Sequence, residues 1–256
     1  MKLKIKTIIR IIFAIVVFTL VSAIIGFVIW AKTPLKSGKL AREALFSNSR
    51  ITVTETHGWI AFTPVKVKPA TGFIFYPGAR VDPRAYAPIM RQIAEQGFFA
   101  VIVPVRFNLA LFDTNAASPV IRAYPKITHW AVGGHSLGGV AAAIFAIKHL
   151  EVISGIAFWA SYPVDDSLLQ SNIQIVSISG TLDGLATTDK IGTSRLLLPT
   201  STTWVPIEGG NHSGFGDYGL QPEDNKATIS NVEQWKKTAD ATVEMLNILK
   251  ERVIAN

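Results

Sequence analysis

Gly134-His135-Ser136-Leu137-Gly138-Gly139 decides the fold. The six residues follow a short apolar run, Trp130–Gly133, and open an Ala-rich stretch that continues Val140-Ala141-Ala142-Ala143. The first reads as a buried strand and the second as a helix, predicted over Leu137–Leu150. G-x-S-x-G at a strand-to-helix turn is the setting of a serine nucleophile. The glycines have a steric reason. Such a turn is strained, so the positions beside the serine cannot carry bulk. Gly134 and Gly138 clear that space, and Gly139 lets the helix close on the sheet. Ser136 then projects its hydroxyl at the carboxyl end of the strand.

Working outward, the chain alternates short β-rich runs with helical ones. Ile51–Thr54 and Trp59–Phe62 read as a hairpin, and Gly72–Tyr76 as a strand ending at Pro77-Gly78. Asp82-Pro83 is a helix start, with Asp as N-cap and Pro at the first helical position, and Gly97 a helix stop. Phe98–Val103, Val152–Trp159, Ile173–Ser179 and Thr202–Ile207 are further strands, and a long amphipathic stretch over 226–252 closes the chain. The apolar strands lack polar alternation, as a parallel sheet covered on both faces requires. The fold class is therefore α/β, a mostly parallel central sheet with helices on both faces. No composition break divides residues 51–256, which read as one domain.

A serine hydroxyl needs a base. His212 stands in Glu208-Gly209-Gly210-Asn211-His212-Ser213-Gly214, after the last strand, where flanking glycines suit a loop that curls a side chain into a site. His135 lies in the elbow itself and is expected to point away from Ser136. His129 and His149 read as structural, and His57 precedes the expected order of the triad. The acid that orients the imidazole is expected at Asp183, in Ser179-Gly180-Thr181-Leu182-Asp183-Gly184 directly after a buried strand. Asp165 and Asp166, after the preceding strand, are its rivals. The five histidines lack metal-ligand spacing, and no glycine-rich nucleotide motif occurs, so no metal and no cofactor are expected.

Taken together, GHSLGG around Ser136, GTLDGL around Asp183 and GGNHSGFGDYG around His212 make residues 51–256 resemble an α/β-hydrolase domain. The likeness is to dienelactone-hydrolase-like and small bacterial esterase members with a serine nucleophile. It implies acyl transfer to water through an acyl-enzyme, on a small ester substrate. It also implies an oxyanion hole of two backbone N–H groups. One belongs to Leu137. The other is expected at Ala79, because Pro77-Gly78-Ala79 stands where relatives often carry His-Gly-x. Dienelactone hydrolases themselves use a Cys nucleophile. This chain has no Cys, so the resemblance does not extend to that activity.

The N-terminus is a different material. Residues 1–50 hold nine Lys/Arg and one acid, for +8, while the remainder holds 16 bases and 17 acids, for −1. The net +7 therefore belongs to the N-terminus, and a basic body for nucleic acid is excluded. Between Arg10 and Lys32 runs IIFAIVVFTLVSAIIGFVIWA, uncharged, which as a helix spans about 30 Å, the thickness of a bilayer's hydrocarbon. Residues 1–31 are expected as a basic segment and transmembrane anchor, and 32–50 as a juxtamembrane linker. Lys2, Lys4, Lys6 and Arg10 place the N-terminus in the cytoplasm and the domain outside. A secretory signal cleaved after Val21-Ser22-Ala23 is the alternative.

Only the 13 residues Ala160–Asn172 separate two strands at the place where this fold usually inserts a lid, so the site is expected to be open and suited to short-chain esters. Phe107, Trp159, Tyr162 and Phe215 are candidates for the wall of an acyl pocket. Thioester, amide or peptide hydrolysis would use the same triad. A catalytically silent scaffold that binds a lipid or a protein is the reading from outside enzymology.

Overall fold

The computed structural model describes residues 2–56 and 58–254, so His57 lies outside the described residues. Its strands are β1 (Ile51–Thr56), β2 (Trp59–Pro64), β3 (Thr71–Tyr76), β4 (Phe99–Ile102), β5 (His129–His135), β6 (Ile153–Trp159), β7 (Gln174–Gly180) and β8 (Thr203–Ile207). They form one sheet in the order β1-β2-β4-β3-β5-β6-β7-β8. β2 runs antiparallel to β1 and β4, and the other pairs are parallel. The central strands are apolar throughout because both faces are covered. Along β3 the side chains alternate between two cores. Phe73 and Phe75 pack with Ile89, Met90, Trp235 and Leu246 on one face, and Ile74 and Tyr76 with Ala141, Ala142 and Phe145 on the other.

Seven α-helices are described: α1 (Lys2–Ala31), α2 (Lys39–Glu43), α3 (Ala87–Glu95), α4 (Ala117–Ala123), α5 (Leu137–Ile147), α6 (Thr188–Ser194) and α7 (Asn231–Ile254). The expected start at Asp82-Pro83 holds in detail. The Asp82 carboxylate accepts from the Arg84 N–H, and a 3-10 turn over Pro83–Tyr86 leads into α3. Gly97, at φ 94°, follows its end. The amphipathic stretch expected from 226 becomes helical only at Asn231. The short helices α2, α4 and α6 were not expected. Each is five to seven residues long, less than two turns, and so shows no hydrophobic period. α4 even carries Pro119.

Helix α1 stands away from the domain with its apolar side chains exposed, until its last turn. Ala31 is fully buried, and the chain beyond it packs instead of hanging free. Leu35 pairs with Val81 in a parallel bridge, and the Gly38 N–H donates to the Asp217 carbonyl. Ala41 is buried, and its N–H donates to the Asp217 carboxylate. The stretch expected as a linker over 32–50 is therefore in part folded against the domain. The basic residues that suggested a linker face outward, while Leu35, Gly38 and Ala41 face inward. A Cβ on Gly38 would overlap the Asp217 carboxylate, which would have to shift from the Ala41 N–H.

Helix α5 begins hard against the end of β3. A Cβ on Gly138 would strike the carbonyl oxygen of Tyr76, which is rigid backbone. Gly138→Ala should therefore destabilise the protein by about 1–3 kcal/mol, as overpacking does. Gly192, exposed in α6 with nothing near its Cβ position, should respond oppositely, Gly192→Ala gaining about 0.5–1 kcal/mol in helix propensity. Urea denaturation midpoints of the two variants check the opposite signs.

Candidate active site

The site is assembled at the carboxyl ends of β3, β5, β6, β7 and β8. Ser136, between β5 and α5, has φ 52° and ψ −122°. A left-handed conformation in a non-glycine residue costs on the order of 1–3 kcal/mol and persists only where the surroundings impose it. Here they do. The Ser136 N–H donates to the Trp159 carbonyl at 3.0 Å, and the Ser136 carbonyl accepts from the Ser161 hydroxyl at 2.7 Å. A Cβ on Gly134 would overlap Gly138 backbone, and one on Gly139 would fall 2.5 Å from the Ser161 hydroxyl. The three glycines thus carry the steric role that their spacing predicts.

Asp183 is buried in the loop after β7. One carboxylate oxygen accepts the N–H groups of Leu185 (2.8 Å) and Ala186 (2.7 Å), and the other faces His212 Nδ1 at 2.9 Å. Both side chains of the pair are withdrawn from water. A buried carboxylate is tolerated because these partners occupy its lone pairs. With Nδ1 directed at Asp183, the other ring nitrogen, Nε2, is left without a protein partner. His212 and Ser136 open into the same cavity of about 240 Å³, with Leu137, Tyr162, Leu185 and Ala186 in its wall. Asp165 and Asp166, in contrast, are exposed on the β6–β7 loop.

The structure brings Ser136, Leu137 and His212 around that cavity, with Asp183 behind the imidazole. Ala79 is not in its wall. It follows Gly78, which sits against His135: a Cβ on Gly78 would lie 2.7 Å from His135 Nδ1. The expected aromatic wall is mostly absent. Of the four candidates only Tyr162 lines the cavity. Trp159 is core, packed on Phe75 with its indole N–H donated to Thr242. Phe215 is buried beside His135, and Phe107 meets the end of α1.

Several contributors escaped the sequence reading. The His135 ring lies 4.4 Å from that of His212, centroid to centroid, and its Nδ1 is 2.9 Å from the Tyr86 hydroxyl. That hydroxyl accepts from the Gly78 N–H at 3.0 Å. Burial, and secondarily the neighbouring His212, pushes the His135 pKa well below the ordinary histidine value, so the ring is neutral. Burial likewise pushes the Tyr86 and Tyr218 phenols up and keeps them protonated. The Asp224 carboxylate accepts from the N–H groups of Gly184, His212 and Ser213, and so ties the acid loop to the histidine loop. Gln234 of α7 makes a two-way pair with the Asn211 backbone, accepting its N–H and donating to its carbonyl. None of these contacts carries a local motif. His149 and His129 lie away from the site, beside Glu151 and Thr128. Among the described residues no group of three His, Cys, Asp or Glu side chains is placed to hold a metal.

No curated protein matches the chain at a significant level. Solved structures do match in fold. Esterase 2 of Thermogutta terrifontis, in the form phosphoramylated by tabun, superposes with a TM-score of 0.56 at 15% identity, covering 80% of this chain and 96% of that one. Est1E from Butyrivibrio proteoclasticus gives 0.55 at 11% identity, over 78% and 100%. A predicted CIB-like hydrolase from Thermoplasma acidophilum gives 0.54 at 12%, over 76% and 98%. At these identities the likeness establishes the fold alone. The sequence itself goes further: residues 72–236, most of the chain from β3 into α7, match the alpha/beta hydrolase family, and the chain belongs to it.

Proposed function

We propose that this protein is a membrane-anchored serine hydrolase that cleaves carboxylic esters through an acyl-enzyme. The observation that carries the reading is the imidazole of His212, held on Asp183 through Nδ1 and sharing one cavity with Ser136. In the mechanism Ser136 attacks the ester carbonyl while His212 Nε2 takes its proton. His212 then returns the proton to the leaving alcohol, and a water repeats the sequence to release the acid. Asp183 fixes the tautomer and stabilises the imidazolium. The Leu137 N–H, at the first position of α5, and the Ala79 N–H stabilise the oxyanion. Helix α1, long enough and apolar enough to cross a bilayer, supports the anchor, with the catalytic domain on the extracytoplasmic side.

Short esters suit the site best. The β6–β7 loop holds no helix and builds no lid. The 240 Å³ cavity falls below the ~300–1,000 Å³ of pockets for drug-sized ligands. The structural neighbour esterase 2 of Thermogutta terrifontis is known with propionate and with butyrate bound. A second cavity of about 530 Å³ adjoins through Val140 and Tyr162, between the β6–β7 loop and α6. This adjoining cavity favours longer chains.

Ser136→Ala should abolish both ester hydrolysis and labelling by a fluorophosphonate probe; label mapped to another serine would move the nucleophile. Asp183→Asn should lower kcat by orders of magnitude, about 10⁴ being the loss when a serine protease triad is changed in this way. Asp165→Asn and Asp166→Asn should stay near wild type, and the reverse pattern would transfer the acid to the β6–β7 loop. With p-nitrophenyl esters, kcat/KM should peak at short acyl chains and fall by about C8, each methylene left outside the site forfeiting up to ~0.8 kcal/mol of apolar transfer. A preference for C12–C16 chains would assign the acyl group to the adjoining cavity.

A further inference from the structure

The last turns of α1 are fixed to the loops that follow β3 and β4. Arg80, after β3, donates its guanidinium N–H groups to the carbonyls of Trp30 and Thr33, both at 2.9 Å, and lies 4.4 Å over the Trp30 ring. Asn108, after β4, donates its side-chain N–H to the Ala31 carbonyl at 2.8 Å. Phe27, one turn earlier in the helix, meets the rings of Phe107 and Phe112 at 6.1 Å. These contacts set where the domain sits along the helix.

Phe27 belongs to the uncharged run of 11–31, four residues before its end, which is about 6 Å of helix rise. Side chains that touch it share its depth. Phe107 and Phe112 are nevertheless 37% and 56% exposed, and Leu111 beside them is 47% exposed. Phe107 holds φ 56°, a conformation an aromatic residue adopts only under constraint. An exposed apolar cluster at this position has an obvious neighbour, because the helix it leans on is itself sheathed in exposed Ile, Val, Leu and Phe. Arg106 precedes it, in an exposed ion pair with Asp113 at 3.9 Å, and Lys32 directly follows the apolar run of α1, as polar and basic groups do at a headgroup layer.

We infer that the 107–112 loop is a second membrane contact: Phe107, Leu111 and Phe112 insert beside α1 into the lipid boundary and turn the carboxyl edge of the sheet, with the catalytic cavity, toward the bilayer. The inference rests on α1 being the anchor. Its geometric core is that β3, β4 and β5 are parallel neighbours, so the loops that grip α1 and the Ser136 elbow leave the same edge. The occupant is the bilayer that α1 crosses, and substrate reaches Ser136 from its surface.

The chain has no Cys, so single cysteines give clean labelling sites. Full-length Leu111→Cys, Phe112→Cys, Phe18→Cys and Leu150→Cys, each carrying a nitroxide, would be reconstituted into phosphatidylethanolamine–phosphatidylglycerol vesicles and checked for retained esterase activity. Collisions with dissolved oxygen and with a water-soluble nickel chelate are then compared. Labels at 111 and 112 should be shifted toward oxygen and protected from the chelate, like the mid-span label at 18. The label at 150, exposed between α5 and β6 at the opposite edge of the sheet, should show the opposite. Aqueous behaviour at 111 and 112 with membrane behaviour at 18 would overturn the second contact and leave the anchor standing. Aqueous behaviour at 18 as well would overturn the anchor and the inference together.

Discussion

The carbonyl oxygens of Tyr76 and Pro77 press against Gly138 so closely that no Cβ fits between them, and the rest of the site follows from that contact. It lets α5 begin immediately beneath the end of β3, leaving Ser136 no room for an ordinary turn. The serine takes φ 52°, and its backbone is locked by Trp159 and Ser161 from the next strand and loop. The strain is held by two parallel neighbours of β5, and in this way a large buried sheet keeps one small polar side chain in a single place.

The side chains paired beside Ser136 come from two loops that are tied to each other. The Asp183 loop and the His212 loop are separated by β8, yet Asp224 binds backbone N–H groups in both. Gln234, fully buried on α7, closes Asn211 from behind. A buried amide is costly unless its polar atoms are met, and a half-buried carboxylate is costly in lesser degree. Here the atoms that meet them are the backbone groups of the functional loops. Rigidity at the site and satisfaction of the core are one set of bonds.

This arrangement explains what could be read from the sequence. The sheet was legible because its central strands, buried on both faces, are short apolar runs, while the exposed edge strand β1 is marked by its β-branched residues. The elbow was legible because its glycines are local: the steric conflict at Ser136 involves residues two and three positions away. Asp183 and His212 stand in glycine-bearing loops after strands, which narrows the choice without closing it. Asp224, Gln234, Tyr86 and the neutral His135 were not legible. Their hydrogen bonds span from 8 to 49 residues, and nothing in GHSLGG tells that the histidine ring will lie against the ring of His212. The basic stretch 32–50 misled for a related reason. Charge marks the outward face of a segment and is silent about the three small or apolar residues that dock it.

That docking changes what the N-terminal helix is in this molecule. Arg80 stands next to Ala79, the proposed oxyanion donor, and holds φ 54°, a left-handed conformation that costs energy in arginine. Its N–H donates to the Asn108 carbonyl, its carbonyl accepts from Leu35, and its guanidinium is spent on Trp30 and Thr33. Three of these four partners belong to the end of α1 or to the segment directly after it. A tether that merely kept the enzyme near a membrane would need no contact with the catalytic loops. This helix instead ends in bonds to Arg80, and these help hold the loop after β3 in its strained form. The conformation of the loop after β3 therefore depends on the few residues from Trp30 to Leu35.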